Sequence, residues 1–203
     1  MTDDRTAGFM PEQDVAPADL PPDRDLTGWT FDRCRFRYLD LGGLATSGCR
    51  FVACDLTGSD LSGSHHTGSV FTNCRFEGAR LSTATFIDCK LTGSELTDIT
   101  TMGLAIRNGD WSYVNLRGVD LAEMDLGGLR LAHADLVDAR LTGTNLRGAD
   151  LTSANLRGAL LARADLTDAE LIGTNLAEAR IEGVQLDLSG AVRLAESLGA
   201  HVN

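Results

Sequence analysis

From Leu26 to Leu186 every fifth residue is large and apolar at 30 of 33 positions, and the register never slips. The occupants are 21 Leu, six Phe (Phe31, Phe36, Phe51, Phe71, Phe76 and Phe86), Ile106, Ile181 and Trp111, with Thr46, His66 and Thr101 as the exceptions. A period of five suits neither ordinary element. Five α-helical residues turn through about 500°, which smears an apolar column around the cylinder, and an odd step along a strand flips faces. The chain therefore has to turn once in every repeat.

The flanking columns say how. Two positions before each centre, 25 of 33 sites hold Ala, Cys, Ser, Val, Thr or Gly, a small column that faces inward beside the centres. Asp or Asn fills 14 of the positions just before the centre, and 16 of the 22 Gly sit two residues after it, as in Leu116-Arg117-Gly118. These are turn formers in turn positions. If each pentapeptide makes one side and one corner, four close a square coil of 20 residues and successive coils pair as parallel strands. The fold class this predicts is an all-β solenoid, a quadrilateral parallel β-helix. Thirty-three repeats make about eight coils and, at a strand spacing of ~4.8 Å, a shaft roughly 40 Å long. Phe31, Phe51 and Phe71 are expected to stack on one face.

Three segments follow: an acidic, Pro-containing lead-in over 1–23, expected to be disordered; the β-helix over 24–188; and a C-terminal helix over 189–203. Ala191, Leu194, Ala195 and Leu198 take the i, i+3, i+4, i+7 spacing of a one-sided helix. Asp187 or Ser189 would cap it and Gly199 would stop it. An open β-helix exposes strand edges and an apolar interior, so this helix is expected to cover the last coil. No run of 18 apolar residues and no charged-then-apolar leader occurs, so a cytoplasmic protein that neither spans nor binds a membrane is expected.

Chemistry-bearing residues fit the architecture. All five cysteines, Cys34, Cys49, Cys54, Cys74 and Cys89, occupy the small inward column, where a free thiol is a compact hydrophobe, and no CxxC spacing is present. His65 and His66 are adjacent and point to opposite sides, so they do not chelate one ion; His66 is expected in the core, bonded to backbone or to Thr46. Ser and Asp recur at repeat-fixed places with no His set to act as a shared base. The expectation is a protein that is not an enzyme, with no catalytic residues, cofactor or metal, whose work is done by its outer surface.

Runs such as Ala149-Asp150-Leu151-Thr152-Ser153 and Ala164-Asp165-Leu166-Thr167-Asp168 resemble the pentapeptide-repeat family, from Arg24 to Leu188. That resemblance implies a right-handed quadrilateral parallel β-helix. Within the family, the stretch Ser64-His65-His66-Thr67-Gly68-Ser69-Val70-Phe71-Thr72-Asn73-Cys74-Arg75-Phe76-Glu77 is similar to the MfpA-type fluoroquinolone-resistance proteins, including a His at an inward centre. The end of the chain, from Asp187 to Gly199, resembles the short helix through which those proteins dimerise. Related Qnr proteins interrupt their coils with loops, which this unbroken register does not hold.

The resemblance implies a rod-like homodimer that imitates duplex DNA. It would bind the type II topoisomerase DNA gyrase of bacteria, modulate its activity and protect it from poisons such as fluoroquinolones, without binding nucleic acid itself. Acids exceed bases by 11; 1–23 holds six acids and one base, 24–103 nine and eight, 104–188 thirteen and eight. The C-terminal half is the acidic half of the shaft. A stretch of duplex as long as the shaft carries roughly 24 phosphate charges, so mimicry would rest on shape and placement of acids. Candidate partner contacts are Asp120, Asp125, Asp135, Asp138, Asp150 and Asp165; candidate dimer contacts are Leu188, Val192, Leu194 and Leu198. A repeat scaffold with a different partner and no gyrase role is the alternative.

Overall fold

The computed structural model describes residues 8–202. Nine short parallel strands are laid down in chain order: β1 (Phe9–Met10), β2 (Asp25–Thr27), β3 (Thr30–Asp32), β4 (Ala45–Ser47), β5 (Arg50–Val52), β6 (His65–Thr67), β7 (Val70–Thr72), β8 (Thr85–Ile87) and β9 (Ala105–Arg107). They form two sheets, β1-β3-β5-β7 and β2-β4-β6-β8-β9. Each pairing within the repeats joins residues 20 apart, as in Phe31 with Phe51 and Thr46 with His66. Isolated bridges carry the same step upward, for example from Asp125 through Asn145 and Asp165 to Gln185. The molecule is the four-sided parallel solenoid that the five-residue period predicts, right-handed as the family resemblance implies. Its four faces are named below for their first centres: Leu26, Phe31, Phe36 and Leu41.

Each three-residue side buries its central residue and turns the flanking two outward, which is strand alternation cut to one pleat. The centres thus fill a narrow interior: the rings of Phe31, Phe51 and Phe71 stack with centroids 4.8 Å and 4.6 Å apart. The five cysteines are free and buried beside them. Cys54 and Cys74 direct their thiols at the carbonyls of Phe31 and Phe51, respectively. Burial pushes the Cys34 and Cys89 thiols up to about 11. His66 is buried and bonded through both ring nitrogens to Thr46 and Ser64, while His65 is exposed.

The lead-in differs from expectation from Gly8 onward. Phe9–Met10 pairs in parallel with Thr30 and Phe31, Asp14 bridges to Arg35, Met10 and Val15 are buried, and Pro17–Asp19 makes a 3-10 turn. The cause is the open edge of β3, which presents unpaired backbone groups that this segment satisfies. Phe9–Met10 sits 21 residues from its partners instead of 20, so it falls out of the five-residue register and does not show in the periodicity. The part of the disordered segment expected over 1–7 lies outside the described residues.

At the other end, helix α1 (Leu188–Ser197) starts at Asp187, whose carboxylate accepts from Gly190 N at 2.7 Å, and Gly199 follows it in the left-handed region. The helix is shorter than the expected 189–203 segment.

Candidate protein-interaction surface

The acids before each centre have a local task. The Oδ1 atoms of Asp120, Asp125, Asp135, Asp150 and Asp165 accept hydrogen bonds from the backbone N–H two residues on, at 2.9–3.2 Å. Each carboxylate thereby closes its own corner, and these positions favour Asp or Asn for that structural reason. The second oxygen is what remains for a partner. In Asp135 it meets Arg117 at 3.1 Å, in Asp120 Arg140 at 3.3 Å, and in Asp165 Arg147 at 3.5 Å. Asp125 takes a bond from Asn145 at 2.7 Å on Oδ1, the oxygen that already closes its corner. The carboxyl of Asp165 is held below its ordinary range by hydrogen bonds from the Thr167 side chain and backbone, with Arg147 adding to the effect.

The six candidates are not brought together. Asp125 and Asp165 lie on the Leu26 face, Asp150 on the Phe31 face, Asp135 on the Phe36 face and Asp120 on the Leu41 face. Asp138 stands at a corner in the left-handed region, and its carboxylate occupies the space above it that a side chain at Gly158 would fill.

The uneven charge becomes visible when residues are sorted by position in the 20-residue coil. In 104–188 the Leu26 face and its corner carry Asp125, Asp165, Asp168 and Asp187 against Arg107 and Arg147. The adjoining Phe31 face carries Asp110, Asp150 and Glu170 against Arg130. The Leu41 face is balanced, with three acids and three bases. The acidic excess thus falls mainly on two adjacent faces. Asp110, Asp168 and Glu170 belong to that surface and were missed by reading acids in linear order; the 20-residue period is the signal that finds them.

The helix residues divide as well. Leu194 packs against the interior and caps the shaft. Leu188 and Leu198 are 83 % and 69 % exposed, and Val192 is partly buried. Leu198 thus leaves the capping side on which its spacing placed it. Ile181, Val184 and Leu186 of the last coil remain partly buried, so the helix covers the end incompletely.

Among the described residues no group of three or more His, Cys, Asp or Glu is placed to hold a metal, and no helix is long and apolar enough to cross a membrane.

Family models described as pentapeptide repeats match residues 51–95, 115–152 and 149–189. No curated protein matches the sequence. Among solved structures, full-length QnrB1, a plasmid-mediated fluoroquinolone resistance protein, superposes with a TM-score of 0.84 at 22 % identity, covering 96 % of this chain and 98 % of that one. HetL, a pentapeptide repeat protein involved in heterocyst differentiation regulation from the cyanobacterium Nostoc sp., superposes with a TM-score of 0.59 at 25 % identity, covering 88 % and 82 %. With the repeat matched along most of the shaft and the four-sided solenoid it encodes, this chain belongs to the pentapeptide-repeat family.

Proposed function

We propose that this protein is a non-catalytic, cytoplasmic DNA mimic that binds bacterial DNA gyrase as a homodimer and protects it from poisons such as fluoroquinolones. The observation that carries the reading is the acidic excess on two adjoining faces of the C-terminal half, next to an end that leaves Leu188 and Leu198 exposed. Pairing two copies through that end would set the two acidic stretches side by side at the middle of a double-length rod, a shape suited to a basic, two-fold DNA-binding surface. Likeness along the whole length of QnrB1, itself a fluoroquinolone resistance protein, is consistent with it.

The alternative, a scaffold for another protein, is favoured by the arginines among the acids: Arg117, Arg140 and Arg147 neutralise three of the six candidate carboxylates. Gyrase supercoiling titrated with the protein, with and without a fluoroquinolone, separates the two. Inhibition, or fewer drug-induced DNA breaks, supports the gyrase reading; no effect on either with matched gyrase supports the scaffold.

A further inference from the structure

The stack of coils is parted on two adjacent faces at one level; near the C-terminal end the Phe36 face alone also lacks a bridge among the described residues, between Asn155 and Asn175, where Leu176–Glu178 makes a 3-10 turn. The sheet on the Leu26 face ends at Ala105–Arg107, and the bridges on that face resume at Asp125 with Asn145. On the Leu41 face they run from Arg80 to Thr100 and resume at Asp120 with Arg140. Among the described residues, neither Thr100 with Asp120 nor Ala105 with Asp125 forms a bridge. The other two faces run straight through the same level, Lys90 to Asp110 to Arg130 and Glu95 to Asn115 to Asp135. The coils are therefore joined along one side and parted along the other. A cleft of about 520 Å³ opens there, lined by Thr101, Leu104, Ile106, Asp120, Met124 and Asp125 among others.

The interior accounts for the parting. The small inward column holds Leu104 with Met124 directly above it, and Ile99 with Val119 above it. Elsewhere from Trp29 onward at least one member of each stacked pair in that column is small, as in Ala134 beneath Ala154 or Leu129 beneath Ala149. Side chains too long for the coil spacing act as a prop. Met124 is partly buried, and Leu104 and Ile106 are 7 % and 6 % exposed where the neighbouring centres Leu96 and Trp111 are 0 % and 1 %. Where coils elsewhere join by a backbone N–H, Thr101 reaches the carbonyl of Asp120 with its side-chain hydroxyl at 2.7 Å. On the joined side, Gly109 presses so close to Cys89 that an added Cβ would lie 2.1 Å from the Cys89 carbonyl oxygen.

We propose that this level is a joint: the two blocks of coils swing about the Phe31 and Phe36 faces, and the cleft on the Leu26 and Leu41 faces opens and closes. Two opposed effects set the balance. Closing restores backbone hydrogen bonds and buries Leu104, Ile106 and Met124; the crowding of Leu104 beneath Met124 resists it. A repeat protein contacts only its neighbours along the stack, so one weakened interface divides it into two units. The joint lets an otherwise stiff rod change its bend, and it is a property of the chain whether or not gyrase is the partner.

Ala105 and Asp125 occupy outward positions one coil apart, a separation of ~4.8 Å when strands pair, within the Cα range of a disulfide. The variant carrying Ala105→Cys and Asp125→Cys is expected to cross-link on mild oxidation, at least tenfold more slowly than a control pair at the bridged Asn145 and Asp165. Failure to cross-link while the control closes would show a cleft fixed open and overturn the joint. Cross-linking as fast as the control would show a coil stack that never parts and overturn it equally. In the unsubstituted protein, the amides of Ile106, Asn108 and Asp125 are expected to exchange with deuterium at least tenfold faster than those of Asn145 and Asp165. Met124→Ala is expected to slow that exchange, and unchanged rates in this variant would overturn the prop.

Discussion

His66 Nδ1 lies 2.8 Å from the hydroxyl of Thr46, one coil below, and its Nε2 lies 3.0 Å from Ser64 Oγ. Two of the three non-apolar centres thus satisfy each other inside a shaft filled mainly by Leu and Phe. The ring also packs against Phe71 and Phe86. Burial favours the neutral imidazole and pulls its pKa down to about 3.

A pH dependence follows. The unfolded chain binds a proton at His66 near pH 6.5 and the folded chain does so only near pH 3, so stability falls as pH drops between those values. The slope is about 1.4 kcal/mol per pH unit for one such group. Replacement by Leu should flatten this part of the curve in chemical denaturation from pH 7 to pH 4. An unchanged slope would show that His66 is not the buried neutral group described.

Gly109, in the small inward column, and the corner glycine Gly118 are not equivalent. A Cβ at Gly109 would meet the Cys89 carbonyl oxygen at 2.1 Å, whereas nothing lies within 4 Å of one at Gly118. Both have positive φ. Gly109→Ala should cost roughly 2–4 kcal/mol, and Gly118→Ala about 1–2 kcal/mol from the left-handed backbone alone. Thermal unfolding of the two variants, compared in one buffer, gives the order.

All five thiols are buried and free. An aromatic disulfide reagent should therefore leave the native protein unmodified over minutes and titrate five thiols after denaturation. Rapid reaction of one thiol in the native state would place it at the surface, against the packing seen here.

Substitutions in the C-terminal helix separate capping from the proposed assembly. Leu194→Ala should lower stability by about 1–2 kcal/mol, because it packs on the interior. If the proposed dimer forms through this end, Glu in place of the exposed Leu188 and Leu198 should convert it to monomer in sedimentation. A wild-type protein that sediments as a monomer at micromolar concentration would remove the dimer.

Much of this was legible in the chain. Every fifth residue facing in is a local rule, so Phe31, Phe51 and Phe71 could be stacked, and His66 set in the core one coil above Thr46, by arithmetic alone; which of backbone or Thr46 it bonds needed the structure. Placement of surface charge needed the same arithmetic modulo 20; taken in linear order, Asp120, Asp135 and Asp150 look like one patch although they stand on three faces. The Phe9–Met10 strand escaped because it pairs out of register, held by an open edge and not by a repeat. The parted coils escaped because Leu104 and Met124 read as ordinary apolar residues until one is seen directly above the other.

Occupation of a DNA-binding surface is decided by displacement of a labelled duplex from gyrase with the purified protein. The protein should release the duplex competitively, added salt should weaken its binding, and replacing Asp110, Asp150 and Glu170 by Asn and Gln should weaken release more than replacing Asp120, which Arg140 already pairs. A ternary complex in which gyrase holds protein and duplex together, with neither displacing the other, would contradict it.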